Sequence, residues 1–155
     1  MDNGRQRSHG VLHPVHFSNS MLRFLWAYLV YTWGGLHRYF GNQNSLRSEH
    51  EAAVRYFGKA YEIDPSFRRV RLERGVLLFR ELGRTEEAQA DFDALLEDDP
   101  AYGPALFNRA LLWQQNGRYA DALADLETYQ SLPDREYQRE ADQLVFLLRT
   151  LLSEE

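Results

Sequence analysis

The hydrophobic pattern of this chain repeats. Three segments align by eye: HEAAVRYFGKAYEIDP (50–65), TEEAQADFDALLEDDP (85–100) and YADALADLETYQSLPD (119–134). Each places a small residue four positions before a bulky apolar one: Ala53 and Phe57, Ala88 and Phe92, Ala122 and Leu126. The alanines stand 35 and 34 residues apart, and each segment ends at a proline, Pro65, Pro100 or Pro133. The stretches before the second and third segments align as well. RLERGVLLFRELGR (71–84) matches ALFNRALLWQQNGR (105–118), so that Arg74-Gly75 corresponds to Arg109-Ala110. Apolar residues at Leu72, Val76 and Phe79, and at Leu106, Ala110 and Trp113, keep helical spacing. The unit predicted is a helix, a glycine turn, a second helix and a proline stop.

Local chemistry supports that unit. Gly83 and Gly117 suit the left-handed backbone just past a helix end. Thr85, followed by Glu86 and Glu87, places acid near the positive end of a helix dipole. Asp64-Pro65 and Asp99-Pro100 each offer a capping side chain with proline at a first helical position, and Ser48-x-x-Glu51 reads as a capping box. Small residues at Ala53, Ala88 and Ala122 let paired helix backbones come close. One such pair cannot bury its apolar face alone, so neighbouring pairs must stack. The last stretch, 134–155, reads as one more amphipathic helix, with a stripe of Leu144, Val145, Leu147, Leu148, Leu151 and Leu152 that closes the stack.

These features resemble the tetratricopeptide repeat family, whose 34-residue pattern sets a large residue, Leu-Gly, an aromatic, Ala-x-x-x-Phe and a proline in order. The match is clear over about 66–133 and in the second helix of the first unit (48–63). The resemblance implies an all-α fold: a short right-handed α-solenoid of about three helix-turn-helix repeats plus a C-terminal capping helix. The organisation expected is a flexible N-terminal tail (1–20), an aromatic first helix and loop (21–47), the repeats (48–133) and the cap (134–155). In such proteins ligands lie in a concave groove lined by the first helix of each repeat. Carried onto this chain, that face comprises Leu72, Glu73, Val76, Phe79 and Arg80, then Phe107, Asn108, Leu111, Gln114 and Gln115. Some family members hold a peptide's terminal carboxylate with groove lysines, asparagines and an arginine. Asn108 fits one such place, but the lysines are absent and Leu72 and Phe107 stand where polar groups are wanted. Apolar residues with amides and Arg80 suit an amphipathic helix or an extended peptide instead.

Residues 21–40, MLRFLWAYLVYTWGGLHRYF, depart from the repeat. Seven of the chain's 21 aromatics fall here. Trp33, Leu36 and Phe40 are the candidates for the large, leucine and aromatic positions, with extra residues in a loop over 41–47. Apolar side chains surround the helical wheel from Leu22 to Trp33, and a helix apolar all round must be covered all round. Phe24, Trp26, Tyr28, Tyr31 and Trp33 therefore form a second contact surface, for the tail 1–20, another copy of the chain, a partner, or a membrane surface or membrane complex. The uncharged run from Phe24 to Leu36 has 13 residues, short of the roughly 20 that span a bilayer, and Gly34-Gly35 weakens it as a helix. An interfacial position with Arg23 and Arg38 at the flanks is the alternative.

Composition narrows the function. The net charge is −5. Residues 1–50 hold five arginines against Asp2 and Glu49, so the folded remainder is acidic, which argues against nucleic acid. There is no cysteine, hence no thiolate metal site or thiol nucleophile. The start of the chain does not read as a secretory signal, and a cytoplasmic location is expected, with membrane association through 21–40 as its variant. His9, His13 and His16 invite a metal, but Gly10 and Pro14 keep them from converging; they read as a polar tail, with no metal and no cofactor. The acids Asp91, Asp93, Glu97, Asp98 and Asp99 lack the spacing of a calcium loop and read as a solvated face. No phosphate loop, nucleophile elbow or zinc-protease pattern occurs. The expectation is a non-enzymatic protein–protein adaptor, with a membrane-associated accessory subunit and a homo-oligomeric module as rivals.

Overall fold

Small residues decide how the helices pair. The computed structural model describes residues 19–133 and 136–153. These form seven helices: α1 (Asn19–Asn44), α2 (Arg47–Ile63), α3 (Arg68–Arg80), α4 (Thr85–Asp98), α5 (Gly103–Gln115), α6 (Tyr119–Gln130) and α7 (Gln138–Ser153). No strand occurs among the described residues. Three hairpins, α1–α2, α3–α4 and α5–α6, stack in chain order and α7 closes on α6, each helix packing mainly on its sequence neighbours. That nearest-neighbour packing is what a solenoid requires. Ala53, Ala88 and Ala122 are fully buried at the crossings, as their spacing predicts. Phe57, Phe92 and Leu126 lie beside them without exposure, each contributing about 1.5–3 kcal/mol by leaving water.

The turns follow the glycines. Gly83 and Gly117 sit at φ +66° and +73°, a region that costs other L-residues about 1–2 kcal/mol. Several finer expectations do not hold. Asp64 and Asp99 do not cap α3 and α5. Each folds back on its own turn instead: Asp64 Oδ1 accepts from the Ser66 amide and hydroxyl (3.1 and 2.7 Å), and Asp99 Oδ1 from the Ala101 amide (3.1 Å). The helices start three residues after Pro65 and Pro100, and the proline at a helix start is Pro104. Ser48 is already inside α2, whose N-cap is Leu46 with no side-chain cap. Its supposed partner Glu51 accepts from Arg84 (2.9 Å). The cap α7 begins at Gln138 rather than at 134.

The first hairpin differs most from expectation. α1 runs unbroken through Gly34-Gly35 and through most of the expected loop 41–47. The buried positions on α1 are Ala27, Gly34 and Gly41, seven residues apart. A Cβ on Gly34 would lie 2.8 Å from the Phe57 ring, as one on Gly75 would lie 2.7 Å from Phe92. Gly34 is thus the counterpart of Gly75 and Ala110. Trp33, Leu36 and Phe40 do not fill the large, leucine and aromatic core positions; they are 53%, 43% and 46% exposed. α1 has 26 residues against 13 in α3 and in α5, and α2 has 17 against 14 in α4 and 12 in α6, so both arms of the first hairpin are the longer ones.

The acids are not one solvated face. Asp91 is 1% exposed. Arg74 reaches its two oxygens at 2.8 and 2.5 Å, and Arg71 adds a bond at 3.2 Å. Asp93 pairs with Arg109 and Asp99 with Arg68 (both 2.7 Å). A buried carboxylate needs such partners, and the arginine one residue before Gly75 supplies them. His9, His13 and His16 lie outside the described residues. Among the described residues no group of three metal-binding side chains comes together.

Candidate partner-binding groove

The first helices of the three repeats, α1, α3 and α5, share a cleft of about 580 Å³. Its floor is apolar: Leu72 and Val76 from α3, Pro104 and Phe107 from α5. Their spacing of four and three residues sets them on one face of each helix. Tyr102 and Arg80 stand at the sides, and Glu136 with Tyr137, from the segment entering α7, walls the far end. Tyr137 is held firmly there. Its ring stacks on Phe107 (centroids 4.8 Å apart, planes at 13°), and its amide donates to the Tyr129 hydroxyl at 2.8 Å.

One carboxylate sets the charge of the near wall. Glu73 accepts hydrogen bonds from the Tyr31 hydroxyl (2.9 Å), Arg38 (2.8 Å) and Arg69 (2.8 Å). Two of the groove's three arginines are therefore occupied by an acid of the protein itself. Arg80 forms no ion pair among the described residues and is exposed on the cleft rim. Burial first, and then the bond to Glu73, push the Tyr31 phenol above its usual range. Burial, helped by Asp99 and Glu73, raises Tyr102 against Arg68 and Arg69, which lower it, and burial with Glu136 raises Tyr137. All three stay neutral hydroxyls near neutrality. The groove can take up apolar side chains and offer Arg80, a guanidinium with no ion pair among the described residues.

Six of the residues that the sequence singles out line this cleft together: Leu72, Glu73, Val76, Arg80, Phe107 and Asn108. Asn108 spends its amide on the Pro104 carbonyl one turn back (2.8 Å). Phe79 is 7% exposed and belongs to the core. Leu111, Gln114 and Gln115 lie further along α5 and do not line the cleft. Arg38, Arg69, Tyr102, Glu136 and Tyr137 were not foreseen. Arg38 required the corrected register of α1, and Tyr137 the path of the linker before α7. On the aromatic helix, Tyr31 faces the body against Phe57 and Phe67. Phe24 and Tyr28 flank the same Phe67 ring, and Trp26 and Trp33 stand in a separate cleft with Tyr56 and Lys59.

No family model matches the chain. Solved structures do. The tetratricopeptide domain of Arabidopsis OM64 superposes with a TM-score of 0.68 at 20% identity, over 83% of this chain and 98% of that one. The first such domain of Spaghetti (RPAP3), bound to the HSP90 peptide SRMEEVD, gives 0.67 at 19% identity over 82% and 93%. The Yersinia enterocolitica type III secretion chaperone SycD, in complex with a peptide of the translocator YopD, gives 0.62 at 16% over 92% and 100%. The fold is thus the right-handed tetratricopeptide-repeat solenoid. Among curated proteins, a tetratricopeptide repeat and J domain-containing co-chaperone of Cryptococcus neoformans is 31% identical over 90 residues. Those residues are 57% of this chain and 17% of that protein.

Proposed function

We propose that this chain is a non-enzymatic adaptor that holds a segment of a partner protein in the groove between α1, α3 and α5. The observation that carries this reading is the groove's composition: an apolar floor of Leu72, Val76 and Phe107, a fixed Tyr137 wall, and Arg80 with no ion pair among the described residues. Neighbours of the same fold are described with peptides bound, SRMEEVD in one and a YopD peptide in another, which supports a peptide as the ligand class. The ligand is an amphipathic helix or extended segment that sets apolar side chains on the floor and one carboxylate on Arg80. Because Glu73 holds Arg38 and Arg69, a run of acids is a poorer fit than a single one. A partner held this way is positioned and released without bond chemistry.

The test is a display library of random peptides selected on the intact chain, with affinities measured for the chain, Arg80→Glu and Val76→Arg. Both positions line the groove without full burial, so the fold should survive, which circular dichroism checks. Selected peptides that carry a conserved acid, and that lose binding to both variants, support the groove. Peptides bound equally by all three proteins would remove it from consideration.

A further inference from the structure

The outer side of the first hairpin is built unlike the other two. In α3–α4 and α5–α6 the residues just before the small and bulky seam positions are an arginine and an aspartate, Arg74 with Asp91 and Arg109 with Asp125. The same places in α1–α2 hold Trp33 and Tyr56. There the ion pair gives way to a cleft of about 610 Å³ lined by Trp26, Leu29, Trp33, Tyr56, Lys59 and Ile63, among others. Along α1 as a whole, eleven large apolar side chains are between 42% and 60% exposed, Phe24 and Tyr28 among them on the side that meets Phe67. At about 150–250 Å² for each aromatic, they present on the order of 1,000 Å². A typical monomer's largest apolar patch is about 300–600 Å², and a stable dimer buries about 800 Å² on each partner.

We propose that this face of α1 pairs with the same face of a second copy of the chain, in a two-fold dimer. Charge favours a copy over other occupants. α1 contains no acid and no lysine. Its two arginines turn to the body of their own chain, Arg38 to Glu73 at 2.8 Å and Arg23 to Asp64 at 3.7 Å. An interfacial membrane helix instead meets headgroups with free cations, and a chain of net charge −5 is repelled by anionic lipid. The far end of the solenoid does not fit either. Of the large apolar side chains of α7 only Phe146 and Leu147 are exposed, among Arg139, Glu140, Asp142 and Arg149, so head-to-tail stacking would set an apolar face on a charged one. The rim of the α1 cleft is self-complementary. Lys59 and Glu62 lie one turn apart there, and a two-fold axis sets each against its opposite on the other copy, as an isologous interface demands.

Sedimentation equilibrium of the intact chain at micromolar concentration tests this. The expected mass is twice 18.2 kDa, falling to one chain's mass in Leu25→Glu/Leu29→Glu with helicity retained. Lys59→Glu weakens the dimer by juxtaposing acids, and Lys59→Glu/Glu62→Lys restores it. A monomer in the wild-type chain overturns the proposal. So does a dimer that survives the Leu25→Glu/Leu29→Glu change. Flotation of a monomeric chain with phosphatidylcholine vesicles, lost in that variant, would overturn it by assigning the face to lipid.

Discussion

Arg109 grips both carboxylate oxygens of Asp125 across the α5–α6 hairpin, Nε to Oδ2 at 2.8 Å and Nη2 to Oδ1 at 2.7 Å. The hydrogen bonds to Asp125 and Asp93 hold its guanidinium protonated far above the ordinary arginine range. Arg74 and Asp91 repeat the arrangement one unit earlier. Such a pair ties two helices at one register, because only one rotation of each brings the planar groups together.

Removing one member strands the other. Arg109→Ala leaves a largely buried Asp125 with no cation and should cost about 3 kcal/mol, whereas Arg109→Met/Asp125→Leu should cost far less. Urea denaturation of both variants measures this. Equal losses would mean that packing, not charge, is what the pair supplies.

The two adjacent glycines of α1 should behave oppositely. A methyl group on Gly34 meets the Phe57 ring at 2.8 Å, while one on Gly35 meets nothing within 4 Å. Gly34→Ala should destabilise by about 1–3 kcal/mol through overpacking, and Gly35→Ala should stabilise by about 0.5–1 kcal/mol through helix propensity. Thermal melting distinguishes them, and a matching sign in both would refute the α1 register.

Glu73 tunes the groove. Glu73→Gln releases Arg38 and Arg69 from their carboxylate and should raise affinity for an acidic probe such as SRMEEVD by about tenfold, near 1.4 kcal/mol. Fluorescence anisotropy with the labelled peptide reads the change. No gain would place those arginines out of the ligand's reach.

Alkaline pH should loosen the fold. Tyr31, Tyr102 and Tyr137 have their phenols raised above the ordinary value of 10.0. Above that pH the unfolded chain loses protons that the folded chain keeps, so their stabilisation is complete below pH 10.0 and lost as pH rises through the folded values. Melting temperature should fall over that range, and less steeply in Tyr31→Phe.

The repeat was legible because its signals are local: an alanine four residues before a bulky residue, a glycine at positive φ, a proline after each pair. They carried α2 to α6, and the family resemblance built on them implied six of the residues that line the cleft. The first hairpin was misread because glycine has two meanings in a helix. It lowers propensity everywhere, but Gly34 and Gly41 also let α1 approach Phe57 and His50 more closely than any other residue permits. Spacing alone does not tell these apart, and the error in register hid Arg38. Asp91 was read as solvated because its partners Arg71 and Arg74 lie on another helix, 17 to 20 residues away. Tyr137 was missed because an irregular linker has no period to read.

Lys59 is the chain's one lysine, and its ammonium sits 5.8 Å from the centre of the Tyr56 ring, on the rim of the cleft formed by Trp26 and Trp33. Amine chemistry on side chains therefore has a single address. An acetyl group, an isopeptide bond or a succinimidyl dye would each fall on the outer side of the first hairpin and leave the groove untouched.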